Sequence, residues 1–122
     1  MSGSPARGQA AERYVARRLA RRGYRILATN YRVQGGEIDI VALDGDVLVL
    51  VEVKQRTGDR YGGAEEAADA RQIERILEAA EHFVAAHPDH ADRLWRLDLV
   101  AITLDHGGAV LRYRHIENVI ID

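Results

Sequence analysis

Residues 37–54 have the sequence EIDIVALDGDVLVLVEVK, which predicts two strands joined by a tight turn. Apolar and β-branched residues dominate both halves of the stretch, as is typical of strands. Asp44-Gly45 between them is a dipeptide that commonly forms a two-residue hairpin turn. We therefore predict a hairpin with one strand at residues 37–43 and the other at residues 46–54.

The turn also predicts which side chains of the hairpin share a face. With Asp44-Gly45 as the two central residues, Glu37 lies opposite Glu52, and Asp39 lies opposite Leu50. Side chains alternate between faces along a strand, and a three-residue turn would shift this pattern by one residue. The predicted polar face comprises Glu37, Asp39, Glu52 and Lys54, and the apolar face comprises Ile38, Ile40, Val49, Val51 and Val53.

This polar face has the composition of a metal–phosphate site. Carboxylates that face one another across two strands repel each other unless something compensates. Mg²⁺ would do so, because it takes oxygen ligands and is typically held by one or two carboxylates together with waters and substrate phosphate. Lys54 is the only lysine of the chain, and lysine offers a compact charge that arginine does not. The alternative is an exposed strand end at which Lys54 pairs with one of the acids.

Beyond the hairpin, apolar periodicity predicts two helices and three further strands in one domain over residues 1–122, whose residues 1–5 we expect to be disordered. Asp69 followed by Gln72 forms a capping box at the start of the second helix, and Pro88 ends that helix. The fourth strand is apolar on both faces and is therefore predicted to be interior. The predicted order is helix 6–22, strands 24–33, 37–43 and 46–54, helix 70–87, and strands 94–104 and 109–115.

Two features of this pattern have alternative interpretations. The polar connector at residues 55–63 is either a substrate flap, in which Arg56 and Arg60 meet phosphates, or an ordinary mobile loop. Asp98, inside an apolar strand, either makes a buried polar contact or approaches the acidic face from a neighbouring strand. We favour the structural role for Asp98.

Charge is distributed unevenly along the chain. The 122 residues have a formal net charge of −2, whereas residues 1–32 hold eight arginines and a single acid, Glu12. Such an excess indicates a polyanionic partner, although an arginine-rich solvated helix face is the plain alternative. The absence of cysteine excludes disulfides and thiolate metal sites. Without a secretory leader or an apolar run long enough to span a bilayer, we expect a cytoplasmic protein with no membrane partner.

The order of elements and the placement of the acids resemble the PD-(D/E)XK nucleases, most nearly their Holliday-junction-resolvase-like branch. More narrowly, the chain is similar to the small bacterial YraN family of predicted endonucleases. The similarity extends from about residue 8 to near the C-terminus, and GGEIDI followed by VEVK at this separation is its specific part. It implies an α/β restriction-endonuclease-like core, α-β-β-β-α-β(-β), with a mixed central sheet flanked by helices. The matching stretches are GQAAE (8–12), GYRIL (23–27), NYR (30–32), GGEIDI (35–40) and VEVK (51–54).

Carried over by position, the resemblance implies catalytic residues at the end of the third strand. Asp39 and Glu52 would bind Mg²⁺, for which Mn²⁺ can substitute, and Val53 would add its backbone carbonyl. Lys54 would orient the attacking water or neutralise charge at the scissile phosphate. Glu12 matches a helix acid of the resolvase-like branch and would be a further ligand or a partner of the ligands.

The resemblance also implies accessory residues and a substrate. Glu37 and Gln55 are accessory candidates, although Gln55 stands where such sequences often have a small residue, and Arg71 stands where lysine is common. The implied function is a Mg²⁺-dependent endonuclease acting on nucleic acid, in particular branched or structured DNA, as a homodimer. The alternative is a non-catalytic nucleic-acid-binding or assembly module on the same fold. The arginines expected to contact nucleic acid are Arg13, Arg17, Arg21, Arg56, Arg60 and Arg71.

Overall fold

The structure is a computed structural model that describes residues 5–58 and 69–119, with side chains from residue 9 onward. Its elements follow the predicted order. Of the first five residues, predicted to be disordered, residues 1–4 lie outside the described part and Pro5 begins the first helix. The helices are α1 (Pro5–Arg21), α2 (Ala70–Ala86) and the short 3₁₀ helix η1 (Pro88–His90); the strands are β1 (Arg25–Val33), β2 (Gly36–Asp44), β3 (Val47–Thr57), β4 (Trp95–Leu104) and β5 (Val110–Ile116).

The five strands form one mixed sheet in the order β1-β2-β3-β4-β5. β3 and β4 are parallel, and the other neighbouring pairs are antiparallel. A parallel pair requires a crossover connection, and α2 lies within the one that joins β3 to β4. The predicted mixed sheet and the interior position of β4 are both confirmed.

The two long helices cover opposite faces of this sheet, as predicted. Leu50 of β3 packs in a cluster with Phe83 of α2, and the next residue, Val51, packs in a cluster with Leu19 of α1. Because successive strand side chains alternate, the sheet has an α1 face and an α2 face. On β3, the even-numbered residues from 48 to 56 point to the α2 face.

The hairpin turn lies one residue later than predicted. Its central residues are Gly45-Asp46, and Asp44 pairs with Val47. Gly45 has a φ of 60°. The first central position of a type II′ turn requires a positive φ, and glycine adopts it without strain. The conformational freedom of Gly45 therefore accounts for the placement of the turn.

This register changes the neighbours of the acidic residues. Ile40 pairs with Val51, so the next position along each strand brings Asp39 alongside Glu52. The prediction that Asp39 lies opposite Leu50 is wrong, and so is the predicted pairing of Glu37 with Glu52. The paired positions differ from the prediction by two residues, so the side chains of β3 keep their predicted faces.

β3 is also longer than predicted, because it continues to Thr57. Its last residues pair with β4, as shown by Gln55 opposite Ile102. Gln55 and Arg56, predicted to lie in a connector, are therefore strand residues. Thr57 ends the strand and Gly58 follows it; residues 59–63 of the predicted flap, including Arg60, lie outside the described residues.

Gly36 marks a close approach of β2 to the backbone of α2. A Cβ at this position would overlap the carbonyl oxygen of Arg75 and lie 2.8 Å from the amide nitrogen of Ala79. Backbone atoms of a packed helix cannot move aside as a flexible side chain can. We therefore expect Gly36→Ala to lower the free energy of unfolding by about 1–3 kcal/mol or more, measured by urea denaturation. Gly107→Ala is the matched control, because its Cβ would meet only Asp105 Oδ1 at 3.5 Å; equal costs for the two variants would contradict this explanation.

Candidate active site

Asp39 lies where β2 and β3 separate. The hydrogen-bonded pairing of the two strands ends at Ile40 and Val51, and beyond it Asp39 Oδ2 accepts a hydrogen bond of 2.8 Å from the backbone N–H of Val53. Ile38 packs in the α2-face cluster and Ile40 in the α1-face cluster, although they are two residues apart. The prediction that Ile38 and Ile40 share a face is wrong, because the alternation of β2 is interrupted at Asp39. The Asp39 carboxylate thus takes the place of a strand partner and lies between the two faces.

Glu52 and Lys54 are joined by a glutamine of α2. Gln72 Nε2 donates a hydrogen bond of 2.5 Å to Glu52 Oε2, and Gln72 Oε1 accepts one of 2.8 Å from Lys54 Nζ. Lys54 Nζ also lies 3.9 Å from Glu52 Oε2. The backbone N–H of Gln72 is capped by Asp69 at 2.8 Å, so the end of α2 fixes this bridge. The predicted N-cap, Asp69, is confirmed, whereas the Gln72 side chain bonds Glu52 and Lys54 instead of returning to the Asp69 backbone as a capping box requires.

Glu12, Asp39 and Glu52 form an acidic cluster in which Glu52 is buried and Glu12 and Asp39 are half-buried. Burial, followed by the charge of Asp39, raises the pKa of Glu52 to about 8, against the opposing effect of Lys54. Burial and the charge of Asp39 likewise raise the pKa of Glu12 to about 7. Burial also raises the pKa of Asp39, although the hydrogen bond from Val53 opposes the change. The metal-free cluster therefore retains protons near neutral pH.

The residues of this cluster fit a divalent cation of the Mg²⁺ type. Glu12 Oε1 is buried without a hydrogen-bond partner, a costly state for a carboxyl oxygen. The Val53 N–H points to Asp39, and in an extended strand the carbonyl of the same residue points to the same side. Within residues 5–58 and 69–119, no three His, Cys, Asp or Glu side chains are placed to hold a metal on their own. Mg²⁺ usually takes one or two carboxylates and completes its shell with waters and substrate phosphate, so Asp39, Glu52 and the Val53 carbonyl are the kind of ligands that it uses.

The raised pKa values predict how stability depends on pH. A carboxyl that binds its proton more tightly when folded stabilises the protein below its ordinary pKa, and this stabilisation is lost as the pH rises through the folded value. For Glu12 and Glu52 the loss runs from about pH 4.5 to about pH 8. We expect the melting temperature measured in EDTA to fall by several degrees over this range, and Mg²⁺ to restore part of it at pH 8. A flat profile in EDTA would contradict the buried acidic cluster.

An open cleft of about 340 Å³ exposes this site to solvent between β3 and the start of α2. Glu52, Lys54 and Gln72 line it, together with Glu37 and Arg71. Arg71, predicted to contact nucleic acid, therefore lies at the site.

Glu37 belongs to the rim of the cleft rather than to the buried cluster. Its Oε1 lies 3.9 Å from Arg75 Nη2, and both side chains are about half exposed. An ion pair of this exposure contributes little to stability. Glu37 is therefore free to exchange Arg75 for another partner.

Other predicted site residues lie elsewhere. Gln55 points to the α1 face, where it lines a separate groove of about 530 Å³ with Tyr14 and Arg17. Arg13 and Arg21 are exposed on α1, at four-residue spacing from Arg17. The structure therefore does not bring Gln55 or the α1 arginines to the acidic cluster.

Asp98 has the structural role that the sequence favours. It is fully buried on the α1 face, whereas Glu52 points to the α2 face. Burial opposes its ionisation, but hydrogen bonds from His115, Arg96 and the Asn118 N–H outweigh burial and lower its pKa to about 2. A buried charge with this many donors is satisfied without a metal. The donors are Tyr24 Oη, Arg96 Nε and Nη2, His115 Nε2 and the backbone N–H of Asn118.

The fold and the site define an α/β protein with a mixed five-stranded sheet and an acidic cluster where its second and third strands separate. Residues 11–102 match the family described as "Uncharacterised protein family UPF0102", and the chain belongs to this family. The YraN-type resemblance is thereby confirmed at the level of the family. The matched range contains Glu12, Asp39, Glu52, Lys54 and Gln72.

Full-length relatives support the same membership. A UPF0102 protein of Alcanivorax borkumensis is 39% identical over 111 residues, which cover 91% of this chain and 88% of the relative. One from Frankia casuarinae is 42% identical over 116 residues, which cover 95% of this chain and 97% of the relative. One from Pelotomaculum thermopropionicum is 39% identical over 111 residues, covering 91% and 92%. No helix in the described part of the chain is long and apolar enough to cross a membrane.

Proposed function

We propose that the protein is a cytoplasmic, divalent-metal-dependent endonuclease that hydrolyses phosphodiester bonds in nucleic acid, in particular DNA, on the PD-(D/E)XK plan. The observation that supports the proposal is the convergence of Asp39, Glu52 and Lys54 where β2 and β3 separate, beside the buried oxygen of Glu12 that has no partner. Buried acids with raised pKa values in a cleft are more common at functional sites than in structural positions.

In this proposal the acidic cluster holds Mg²⁺ or Mn²⁺. Asp39 and Glu52 would bind the ion, Val53 would add its carbonyl, and Glu12 would supply a further oxygen directly or through water. The Val53 N–H holds Asp39 in place, and Gln72 holds Glu52, so the carboxylates need little reorganisation. When bound, the ion supplies positive charge that stabilises the transition state of phosphodiester hydrolysis.

Lys54 supplies the second positive charge. Its ammonium group donates one hydrogen bond to Gln72, and its side chain is 30% exposed at the cleft. An ammonium group has three donors, so Lys54 can also bind a phosphate oxygen or orient the attacking water. Such a fixed charge contributes most where negative charge develops in the transition state.

Affinity for the substrate would come from arginines that neutralise backbone phosphates, and it should weaken steeply with added salt. A branched or structured DNA substrate, a homodimeric assembly and an accessory role for Glu37 or Gln55 are parts of the proposal that rest on the resemblance to resolvase-like nucleases. The sequence predicts these contacts for Arg13, Arg17, Arg21, Arg56, Arg60 and Arg71, of which Arg71 lines the cleft and Arg56 lies on the same sheet face as Lys54.

The test is a cleavage assay on labelled branched, single-stranded and duplex DNA, and on RNA, with Mg²⁺ or Mn²⁺. We expect metal-dependent cutting by the wild type and loss of cutting in Glu52→Ala and Lys54→Ala. Glu81→Gln, an exposed acid of α2 away from the cleft, is the control and should cut normally. Salt-sensitive binding without cutting under either metal would contradict the enzyme and support a binding module.

A further inference from the structure

Three exposed arginines share the α2 face of the sheet with Lys54. In the strand register, Lys54 lies beside Ala101 of β4, and Ala101 lies beside Arg114 of β5. In a second row, Arg56 lies beside Thr103, and Thr103 lies beside Arg112. Partners in register point to the same face of a sheet, so the two rows form one surface. We call Arg56, Arg112 and Arg114 the sheet arginines.

The sheet arginines lie next to the candidate active site. Glu52 is two residues before Lys54 on β3 and points to the same face. The α1 arginines, represented by Arg13 and Arg21, lie on a helix that covers the opposite face. Glu12 of α1 reaches the acidic cluster through Asp39, but Arg13 and Arg21 are exposed on α1, on the side of the sheet from which Glu52 points away.

The two rows are well suited to a phosphate backbone. Between the cations lie Ala101, which is buried, and Thr103, which is half-buried; both are small and uncharged, and neither row contains an acid. Strands are about 4.8 Å apart, so the cations on β3 and β5 are separated by roughly 10 Å. Several like charges on one sheet face repel one another, and a polyanion would remove that cost.

The surface favours duplex over single-stranded nucleic acid. Proteins that bind single strands usually stack bases on aromatic side chains, whereas these two rows contain no aromatic residue. Contacts to duplex phosphates need only positive charge at suitable spacing. Arg56 and Arg112 already interact with other groups of the protein, so Arg114 gives the clearest single test.

We infer that the sheet arginines and Lys54 hold the phosphate backbone of a duplex segment over β3, β4 and β5, and that this surface, rather than α1, directs the substrate to Glu52. The inference rests on the proposed nuclease function and specifies the surface and the form of substrate that it uses. The contacts are independent of base sequence.

The experiment measures binding without catalysis, by fluorescence anisotropy of a labelled duplex in EDTA over a series of salt concentrations. We expect the double variant Arg112→Ala/Arg114→Ala to weaken binding about tenfold or more. The slope of log K against the logarithm of the salt concentration should become shallower by nearly two. Arg114→Ala should give about half of that change in slope. Arg112→Lys/Arg114→Lys should retain most of the affinity, which separates lost charge from misfolding. The double variant Arg13→Ala/Arg21→Ala, on α1, should lose less affinity for the duplex than Arg112→Ala/Arg114→Ala.

Two outcomes would overturn the inference in distinguishable ways. If the wild type cuts DNA with metal but the α1 pair loses more affinity than the sheet pair, the inference fails and the proposed function stands. If the wild type neither binds duplex at low salt nor cuts any substrate, both fail. Tighter binding of single strands than of duplex would contradict the proposed substrate form alone.

Discussion

Replacing Glu52 by glutamine is expected to abolish metal-dependent cleavage and, in the same variant, to raise the melting temperature of the metal-free protein at pH 8. The amide preserves the size of the side chain but cannot ionise. It therefore removes one proposed metal ligand and also the repulsion between Glu52 and Asp39, which contributes to the raised pKa of Glu52. Opposite changes in activity and stability are typical of sites built for function.

The two effects have different measurements and a common control. Loss of a metal ligand should reduce cleavage by roughly a hundredfold or more, measured under single-turnover conditions. Differential scanning fluorimetry in EDTA should show a higher melting temperature for Glu52→Gln than for the wild type at pH 8. The difference should become smaller toward pH 5, where Glu52 is protonated in the wild type. Glu81→Gln should show neither change. A Glu52→Gln variant that cuts normally, or that is less stable than the wild type at pH 8, would contradict this account of the cluster.

Asp98→Ala is expected to be the most destabilising substitution on the opposite face of the sheet, with a loss of about 3–5 kcal/mol in the free energy of unfolding. Asp98 is fully buried and accepts hydrogen bonds from four residues. Its removal leaves the Arg96 guanidinium without its main partner, because the remaining contacts of that group are to Asp44 and Tyr24. Asp44 is half exposed and compensates this charge less well than Asp98 does, so the loss exceeds the net contribution of the Arg96–Asp98 pair.

Urea denaturation of purified protein at neutral pH measures this loss. Asp98→Asn is the informative companion variant, because it keeps the shape of the side chain and two acceptor lone pairs but removes the charge. It should fall between the wild type and Asp98→Ala. Tyr24→Phe removes the hydroxyl that donates a hydrogen bond of 3.2 Å to Asp98, and it should lower the free energy of unfolding by about 1 kcal/mol. A cost below about 1 kcal/mol for Asp98→Ala would show that the network does not hold β4 to its neighbours.

The hairpin shows why part of the site could be predicted from the sequence. The geometric alternation of side chains along β3 fixes which of them share a face, and a register shift of two residues leaves that set unchanged. The placement of Glu52 and Lys54 on one face was therefore predictable although the turn was misplaced. The position of Asp39 was not, because it depends on a local break in the alternation of β2. Asn30 of β1 has a positive φ of 52° at the same level of the sheet, so the irregularity involves both strands.

Contacts between distant elements could not be read from local patterns. Gln72 is recognisable as a capping residue because capping depends on neighbours in sequence, but its bridge between Glu52 and Lys54 depends on how α2 docks on the sheet. The row that joins Lys54 to Arg114 depends on two strand registers that the sequence does not specify. Glu12 was predicted as a site residue from the family resemblance alone.

The central claim is that Asp39, Glu52 and Glu12 hold a divalent cation beside Lys54. The most direct test is a Mn²⁺ titration of the metal-free protein at pH 8 and pH 6, in which electron paramagnetic resonance measures the concentration of free Mn²⁺. We predict that one Mn²⁺ binds per chain and that Mg²⁺ displaces it. Mn²⁺ should bind more weakly at pH 6, because Glu52 and Glu12 then hold protons, and its binding should be lost in Asp39→Asn. Equal Mn²⁺ binding by the wild type and Asp39→Asn, or no binding by the wild type at millimolar Mn²⁺, would contradict the claim.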